Sequence, residues 1–176
     1  MIYFVRHGET YNNIKNLIGG DSELSPKGIE QAKATAELLK DIKFDAIYVS
    51  DYIRTKQTAE YINVYHNLPI QVDKRMNERF HGTYENTDIS KFNFNEIWDM
   101  DNEKIYENNI ETISECIERA KSFLEDIKIK HKNQNILIVS HRGMSRIMQL
   151  VFNKISKDID LYSQGLNNGE FYTYEI

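Results

Sequence analysis

Three short runs of β-branched and aromatic residues constrain the fold more than any other feature of this sequence. They occupy residues 2–5, 46–49 and 136–139, and each is apolar at both alternating positions, as expected of a strand that is buried on both faces. A polar turn and a helical pattern follow each run. This alternation predicts an α/β fold, with a doubly wound, mainly parallel sheet and helices on both of its faces.

Helices are predicted over residues 28–40, 52–65 and 110–130. The first follows Ser25 and Pro26, because a serine can cap free backbone amides and a proline suits the first helical position. The second has a less regular pattern. The third is the clearest, since its apolar residues recur at alternating spacings of three and four.

The length and composition indicate one globular domain over residues 1–176. A chain of 176 residues can bury roughly 70% of the surface that it exposes when unfolded. Its single cysteine, Cys116, excludes a disulfide framework and is typical of a reducing compartment, where we expect it to be a passive small side chain. No apolar run approaches the ~20 residues of a membrane span, and no leader is recognisable. We therefore expect a soluble, cytoplasmic protein.

The charge balance bears on the partners of the protein. The chain has 22 basic and 27 acidic residues, a net charge of −5, and no clustered stripe of lysine and arginine. This argues against nucleic acid or an anionic membrane as the main partner. Taken alone, the net charge would also argue against an anionic substrate, so the location of the positive charges has to be considered.

Basic side chains follow the predicted strands, at the edge where ligands bind in doubly wound folds. The first strand leads into Arg6 and His7, the second reaches Arg54 one turn into its helix, and the third leads into His141 and Arg142. Guanidinium groups match pairs of phosphate oxygens. Two histidines and a carboxylate can instead bind a metal, but neighbouring arginines would repel the ion. The pattern favours a phosphate ligand, and it implies no metal and no cofactor.

Five linked motifs follow one another along nearly the whole chain. They are Arg6-His7-Gly8-Glu9-Thr10 with Asn13, Gly20-Asp21 leading to Leu24-Ser25-x-x-Gly28-x-x-Gln31-Ala32, Val49-Ser50-x-x-x-Arg54-x-x-Gln57-Thr58-Ala59, Glu78-x-x-x-Gly82, and Val139-Ser140-His141. In this order they resemble the histidine phosphatase superfamily, in its phosphoglycerate-mutase-like branch. The resemblance is greatest to the small broad-specificity or metabolite phosphatases of that branch.

The resemblance implies a role for each matching residue. His7 corresponds to the nucleophile that is transiently phosphorylated, a task that suits a neutral imidazole whose protonation is disfavoured by nearby cations. The groups that it implies for holding the transferring phosphoryl group are Arg6, Asn13, Gly20, Arg54 and His141. Such groups act mainly by positioning and by stabilising charge. The expected substrate is a small phosphorylated metabolite.

Glu78 corresponds to the general acid of the family, which gives a proton to the leaving alcohol and then takes one from the attacking water. The local sequence alone favours a solvated loop carboxylate, or an ion-pair partner of Arg79, for Glu78. Only the linked motifs favour the role of general acid. Glu9 is more plausible as a group that orients an arginine or caps a backbone amide.

Two positions depart from the pattern of the family. Arg142 occupies a position that is commonly glycine, and it could either add a phosphate donor or point to solvent. His81 occupies a position where the mutases have tyrosine. It could contact substrate or titrate, although a partly exposed structural histidine is the favoured interpretation.

Residues 81–109 are predicted to cover the site and to determine specificity. Between residues 96 and 111 the sequence has six carboxylates and one basic residue, Lys104. The net charge of this stretch, −5, equals that of the whole chain. The carboxylates are Glu96, Asp99, Asp101, Glu103, Glu107 and Glu111. Such a cover should disfavour a second anionic group. Because the chain is also short for a mutase and has no Arg-Arg pair, water is the expected acceptor, and a phosphoglycerate-type mutase is the alternative.

The same segment is rich in aromatic residues, namely Phe92, Phe94, Trp98 and Tyr106. The simpler interpretation is that they pack the segment onto the domain. A further hypothesis is that one or two line the pocket for the leaving group, which would favour a neutral, cationic or aromatic alcohol. A non-catalytic module that binds a phosphorylated ligand is a third functional alternative, although the presence of both His7 and Glu78 argues against it.

Overall fold

A five-stranded sheet forms the centre of the structure, a computed structural model that describes residues 1–91, 93–100, 108–155 and 160–176. The strands are β1 (Ile2–Arg6), β2 (Ala46–Val49), β3 (Ile70–Val72), β4 (Ile136–Ser140) and β5 (Phe171–Tyr174), in the order β3-β2-β4-β1-β5. Neighbouring strands are parallel, except that β5 pairs antiparallel with β1. The predicted α/β fold with a mainly parallel sheet is therefore confirmed.

The six helices of the described residues are α1 (Tyr11–Ile14), α2 (Pro26–Leu39), α3 (Ile53–Asn63), α4 (Phe94–Ile97), α5 (Ile113–Lys130) and α6 (Arg142–Val151). Short 3₁₀ turns cover Lys74–Met76, Gly82–Tyr84, Ile89–Lys91 and Leu161–Gln164. The prediction for the first helix is confirmed, with Ser25 accepting a hydrogen bond from the Gly28 amide at 3.0 Å. The longest helix begins three residues later than predicted, because Thr112 and Glu115 form a capping box at its start.

Apolar cores on both faces of the sheet explain why residues 2–5, 46–49 and 136–139 of the central strands are apolar at both alternating positions. Phe4 and Ile138 belong to a core formed with α5 and α6, whereas Val5 and Val139 belong to a core formed with α2 and α3. Both edge strands were missed by the sequence analysis, because β3 is half-buried at Ile70 and exposed at its other two residues, and β5 is largely half-buried. Neither carries the continuous apolar run that marks a central strand.

Two further observations concern predictions from composition. Cys116 is buried within α5, and burial raises the pKa of its thiol, as expected of a passive side chain. Within the residues that the structure describes, no helix combines the length and the apolar character that crossing a membrane requires.

Candidate active site

Two histidines leave the sheet side by side at the carboxyl ends of neighbouring strands. The parallel register of β1 and β4 places Arg6 opposite Ser140, so that His7 and His141 are the next residues on the two strands. Their ring centroids are 5.2 Å apart, with an angle of 64° between the ring planes. The convergence that was predicted from the strand ends is therefore present for both imidazoles.

The His7 ring is held in the state that a nucleophile requires. Its Nδ1 lies 2.7 Å from the Gly8 carbonyl oxygen, which can only accept, so Nδ1 carries the proton and Nε2 presents its lone pair. That lone pair accepts a hydrogen bond from Arg54 Nε at 3.2 Å. Burial, followed by the charges of Arg54 and Arg6, holds the pKa of His7 well below its usual range. The imidazole is consequently neutral at physiological pH.

Arg54 approaches His7 from the second position of α3. Its Nη1 donates to the Gly20 carbonyl at 2.6 Å, and the half-exposed Asp21 carboxylate lies 3.7 Å from the same nitrogen. The guanidinium also lies over the Tyr52 ring, 4.4 Å from its centroid. These contacts orient the fork of Arg54 toward the imidazole. Gly20 therefore contributes to the site by holding Arg54, and it is not among the residues that line the cavity described below.

Arg6 is buried beside the two histidines. Its Nη1 donates to the Leu166 carbonyl at 2.8 Å, which links β1 to the chain that precedes β5. Burial and the repulsion of Arg142 lower the pKa of Arg6 to about 9. The guanidinium remains a cation at neutral pH, and it keeps donors that are free for a ligand.

His141 is fully buried at the N-cap of α6. Its Nε2 lies 2.7 Å from Ser50 Oγ, and the Tyr52 ring packs edge-on against it with a centroid distance of 5.1 Å. Burial, with the charge of Arg54 next in importance, lowers the pKa of His141 well below its usual range. His141 packs beside His7 but does not itself line the cavity.

A cavity of about 170 Å³ opens above these strand ends. The predicted residues that line it are Arg6, His7, Asn13, Arg54, Glu78, His81 and Arg142, and they are joined by Arg146, Phe94, Trp98 and Tyr162. Asn13 accepts a hydrogen bond from the Thr10 amide through Oδ1 at 3.0 Å. Its side-chain NH₂ group is the part that can donate to a ligand.

Glu78 lies at the same cavity and accepts two backbone hydrogen bonds. The Arg79 amide donates to Oε1 at 2.9 Å, and the Gly143 amide, near the start of α6, donates to Oε2 at 3.2 Å. The fit is close, since a Cβ on Gly143 would lie 2.2 Å from Glu78 Oε1. Glu78 is thus neither a free loop carboxylate nor an ion-pair partner of Arg79, whose guanidinium instead donates to the Ile97 and Glu111 carbonyls.

The structure corrects the expectations for two neighbouring side chains, and for Arg142 it bears on one of the two alternatives that the sequence left open. His81 is buried rather than partly exposed, with Nδ1 3.4 Å from the Glu85 carboxylate. The Glu9 carboxylate accepts from the Ser25 hydroxyl at 2.8 Å and pairs with Lys27, and within the described residues it contacts neither an arginine nor a backbone amide. The Arg142 side chain does not simply point to solvent, since its Nε is fully buried.

The three described carboxylates of the acidic segment do not line the cavity, and the covering role of residues 81–109 stays a prediction. Glu111 is paired with Arg119, 2.6 Å from its Nε, while Glu96 and Asp99 are exposed, and none of these three carboxylates lines the cavity. Asp101, Glu103, Lys104, Glu107, Phe92 and Tyr106 lie outside the described residues. Phe94 and Trp98 line the cavity together with Tyr162, and their contact with a leaving group stays a prediction.

The model of the histidine phosphatase superfamily (branch 1) matches residues 2–173. The chain belongs to this superfamily. The adenosylcobalamin/alpha-ribazole phosphatase of Escherichia coli (strain K12) is 30% identical over 154 residues, which are 84% of this chain and 76% of that protein. A Bacillus subtilis (strain 168) protein, "Uncharacterized phosphatase PhoE", is 34% identical over 146 residues, or 80% of this chain and 70% of that protein.

The fold agrees with this membership. A crystal structure of a phosphoserine phosphatase mutant from Entamoeba histolytica, in complex with phosphoserine, matches with a TM-score of 0.81 and 25% identity. The match covers 97% of this chain and 87% of that one. In the described part of this histidine phosphatase, no group of three or more histidine, cysteine, aspartate or glutamate side chains is arranged to hold a metal ion.

Sequence reasoning missed two features of this histidine phosphatase site. The first is Arg146, which lies one helical turn after Arg142 and whose Nε donates to the Tyr162 carbonyl at 3.0 Å. The four-residue spacing of the two arginines in α6 could have indicated that they lie on the same face of the helix. The Glu85 carboxylate accepts from the Gly20 amide at 2.5 Å and from the His81 amide at 2.8 Å. No local pattern marks the hydrogen bond from the Gly20 amide, because it joins residues that are distant in sequence.

Proposed function

We propose that this protein hydrolyses a small phosphomonoester without a metal, through a phosphohistidine at His7, with Glu78 as general acid and then general base. One observation carries the proposal. The lone pair of His7 Nε2 faces the Arg54 guanidinium, in the same small cavity that the Glu78 carboxyl group lines. A nucleophile, a cation for the phosphoryl oxygens and a proton donor for the leaving group are therefore within reach of one ester.

The coarser part of this conclusion rests on the family. The chain is a phosphoric monoester hydrolase, given its membership of the histidine phosphatase superfamily and the phosphatases to which it is similar. The roles of individual residues, set out next, are the proposal.

In the first step, His7 Nε2 attacks phosphorus, and the bond between phosphorus and the ester oxygen breaks. Glu78, protonated when the ester binds, gives its proton to the departing oxygen, so that the alcohol leaves neutral. Arg6 and Arg54 stabilise the charge on the phosphoryl oxygens. His141 does so from behind the cavity lining, beside His7, through its buried Nδ1, which has no partner among the described residues. The products are the alcohol and phosphorylated His7.

In the second step, a water molecule attacks the phosphohistidine from the side that the alcohol has left. Glu78, now a carboxylate, takes a proton from that water as its oxygen bonds to phosphorus. The bond between phosphorus and Nε2 breaks, and its electron pair returns to His7. Inorganic phosphate is released, and both side chains regain their starting states.

The test of this proposal compares two histidines. His7→Ala should abolish release of phosphate from p-nitrophenyl phosphate, whereas His131→Ala, which changes a histidine bonded to Tyr48 far along the sheet, should retain it. EDTA should leave the wild type fully active. Activity in the His7→Ala protein, or loss of wild-type activity to the chelator, would remove the proposed mechanism.

The two alternatives have distinct outcomes in the same preparation. A mutase would convert 3-phosphoglycerate into 2-phosphoglycerate in the presence of a bisphosphoglycerate primer, with little free phosphate. A binding module would take up a phosphorylated ligand in calorimetry and would release no phosphate from any ester. Free phosphate as the main product supports hydrolysis.

A further inference from the structure

The segment that carries Glu78 has little regular structure of its own. A 3₁₀ turn over Lys74–Met76 precedes Glu78, and no helix or strand runs through residues 77–81. A general acid must lie within hydrogen-bonding reach of the ester oxygen, and a displacement of about 1 Å can cost roughly 100-fold in rate. The backbone of residues 75–80 therefore has to be fixed by contacts from outside the segment.

One side chain of α5 binds three backbone carbonyls of this segment. The Arg119 guanidinium donates through Nη1 to the Arg75 and Asn77 carbonyls, at 2.6 and 2.8 Å. Its Nη2 donates to the carbonyl of Glu78 itself, at 3.3 Å. Because a guanidinium presents its N–H donors in a fixed plane, this one side chain can hold several carbonyls of an irregular segment in a set arrangement.

Glu111 extends this arrangement to the other side of Glu78. Its carboxylate accepts from Arg119 Nε at 2.6 Å and from Nη2 at 2.9 Å, and also from the Phe80 amide at 3.1 Å. The Glu111 amide in turn donates to the Phe80 carbonyl at 2.9 Å. Only 17% and 19% of the Arg119 and Glu111 side chains are exposed, so this two-pronged pair is stronger than an ion pair in open solvent. We call the Arg119–Glu111 pair the clamp.

The clamp lies away from the cavity in which the ester would bind. Arg119 and Glu111 line a separate cleft of about 710 Å³, which Glu78 also borders. Neither residue is among the described residues that line the 170 Å³ cavity. The clamp can therefore influence a bound ester only through the segment that carries Glu78.

We infer that Arg119, together with Glu111, is a positioning residue that holds the proposed general acid Glu78 within reach of the leaving oxygen. The inference rests on the proposed function and assigns residues outside the cavity to it. Attachment of the segment to α5 does not by itself require the clamp, because Arg75 already provides it through contacts with Asp126 and Ser122. Those contacts join side chains, whereas Arg119 binds the backbone that carries the acid.

The test uses two esters that depend on the acid to different degrees. The alcohol of glycerol 3-phosphate needs a proton in order to leave, whereas the phenolate of p-nitrophenyl phosphate needs little protonation. Arg119→Gln should lower kcat for glycerol 3-phosphate by about 10- to 50-fold and kcat for p-nitrophenyl phosphate by less than about threefold. A merely structural role would lower the fraction of folded enzyme, and the two values would then fall alike.

Arg75→Gln is the matched control, since it removes a guanidinium that joins the same segment to the same helix through side chains. The ratio of its two kcat values should stay within about twofold of the wild type. Glu111→Gln is a second variant of the clamp, in case Arg119→Gln does not fold, and it should shift the ratio in the same direction by at least about threefold. Equal losses on both esters in Arg119→Gln, a wild-type ratio in Glu111→Gln, or the full shift in Arg75→Gln would each overturn the inference.

Two further measurements separate this inference from the proposed function. If Glu78→Gln loses activity selectively on glycerol 3-phosphate and Arg119→Gln does not, Glu78 is the acid and the clamp does not position it. If Glu78→Gln slows both esters equally, the acid role in the proposed function fails, and hydrogen exchange of residues 75–80 still tests the clamp. Exchange of these amides should be about tenfold faster in Arg119→Gln and unchanged in Arg75→Gln. Exchange at the wild-type rate in Arg119→Gln would refute the clamp independently of catalysis.

Discussion

The two sides of the cavity are built in different ways. The rim, which we define as Arg6, His7, Arg54 and His141, consists of residues at the ends of strands or the starts of helices. The wall, which we define as Phe94, Trp98 and Tyr162, comes from short helical turns and is held by long side chains. Arg79 and Arg146 lie over the Trp98 ring, 4.6 and 4.7 Å from its centroid.

This difference separates chemistry from specificity. The sheet register fixes the rim, so its geometry changes little when loops change, and the same phosphoryl transfer can be retained. Wall residues depend on contacts between segments that have little regular structure of their own. Substitutions in the rim should therefore affect every ester, and substitutions in the wall should affect stability and the choice of ester.

The largest effect is expected where the rim meets Glu78, the proposed general acid. Gly143→Ala would place a Cβ 2.2 Å from Glu78 Oε1, which forces the carboxyl group out of its position. General acid catalysis contributes roughly 10²- to 10⁴-fold, so kcat for glycerol 3-phosphate should fall about 100-fold. The loss on p-nitrophenyl phosphate should stay below about tenfold, because its phenolate needs little protonation on leaving.

A double-mutant cycle shows whether the effect passes through Glu78. If it does, adding Gly143→Ala to the Glu78→Gln variant should lower kcat for glycerol 3-phosphate little further, because the effects of residues that act together are not additive. Additive losses, or an equal loss on both esters in the single variant, would mean that Gly143 acts on something other than the acid.

The wall is tested by removing one of the arginines that hold it. Arg79 is fully buried, and its guanidinium donates to the Glu111 and Ile97 carbonyls at 2.7 and 2.6 Å. Arg79→Met leaves these buried acceptors without a donor, each at a cost of about 1–3 kcal/mol. Because the substitution also relieves the desolvation of a buried cation, we expect a net loss of about 2 kcal/mol in the free energy of unfolding, measured in urea.

Arg75 is the matched control for this measurement. It lies four residues earlier and pairs with Asp73 and Asp126 at 2.7 and 2.9 Å, with its side chain partly exposed. Ion pairs near the surface contribute about 0–1 kcal/mol, so Arg75→Met should cost less than Arg79→Met. The reverse order would show that the wall does not depend on the buried guanidinium.

The rim was predictable from sequence because the sheet register positions it. Doubly buried strands are recognisable as apolar runs, and the residues that follow them must meet at one edge of a parallel sheet. His7 and His141 could thus be brought together without knowing any loop. The motifs then added Glu78, whose local sequence gives no indication of two backbone hydrogen bonds.

The wall was not predictable to the same degree. The periodic pattern of α5 did not reveal that Glu111, just before it, pairs with Arg119 instead of facing the cavity. Likewise, the pattern did not reveal that His81 is buried, with its Nδ1 3.4 Å from the Glu85 carboxylate on the other side of the 3₁₀ turn Gly82–Tyr84. Contacts of this kind join irregular segments through side chains, and neither periodicity nor composition encodes them.

The smallest effect, a pH dependence of stability, belongs to the rim. Burial keeps the pKa values of His7 and His141 well below the usual value near 6.5 that they regain on unfolding. The unfolded chain therefore takes up protons below that pH while the folded chain does not, so stability is retained above it and lost as the pH falls. Between pH 7.5 and 5.5, each histidine should cost about 1 kcal/mol of unfolding free energy.

Substitution isolates this contribution from that of the carboxylates, which titrate over neighbouring pH values. His7→Gln removes one of the two buried imidazoles, so its loss of stability between pH 7.5 and 5.5 should be about 1 kcal/mol smaller than that of the wild type. His141→Gln should give a similar reduction, because the same burial lowers the pKa of that ring. If both variants lose as much stability as the wild type on acidification, the rim histidines take up protons in the folded protein, and the neutral imidazole that the proposed nucleophile needs would require another explanation.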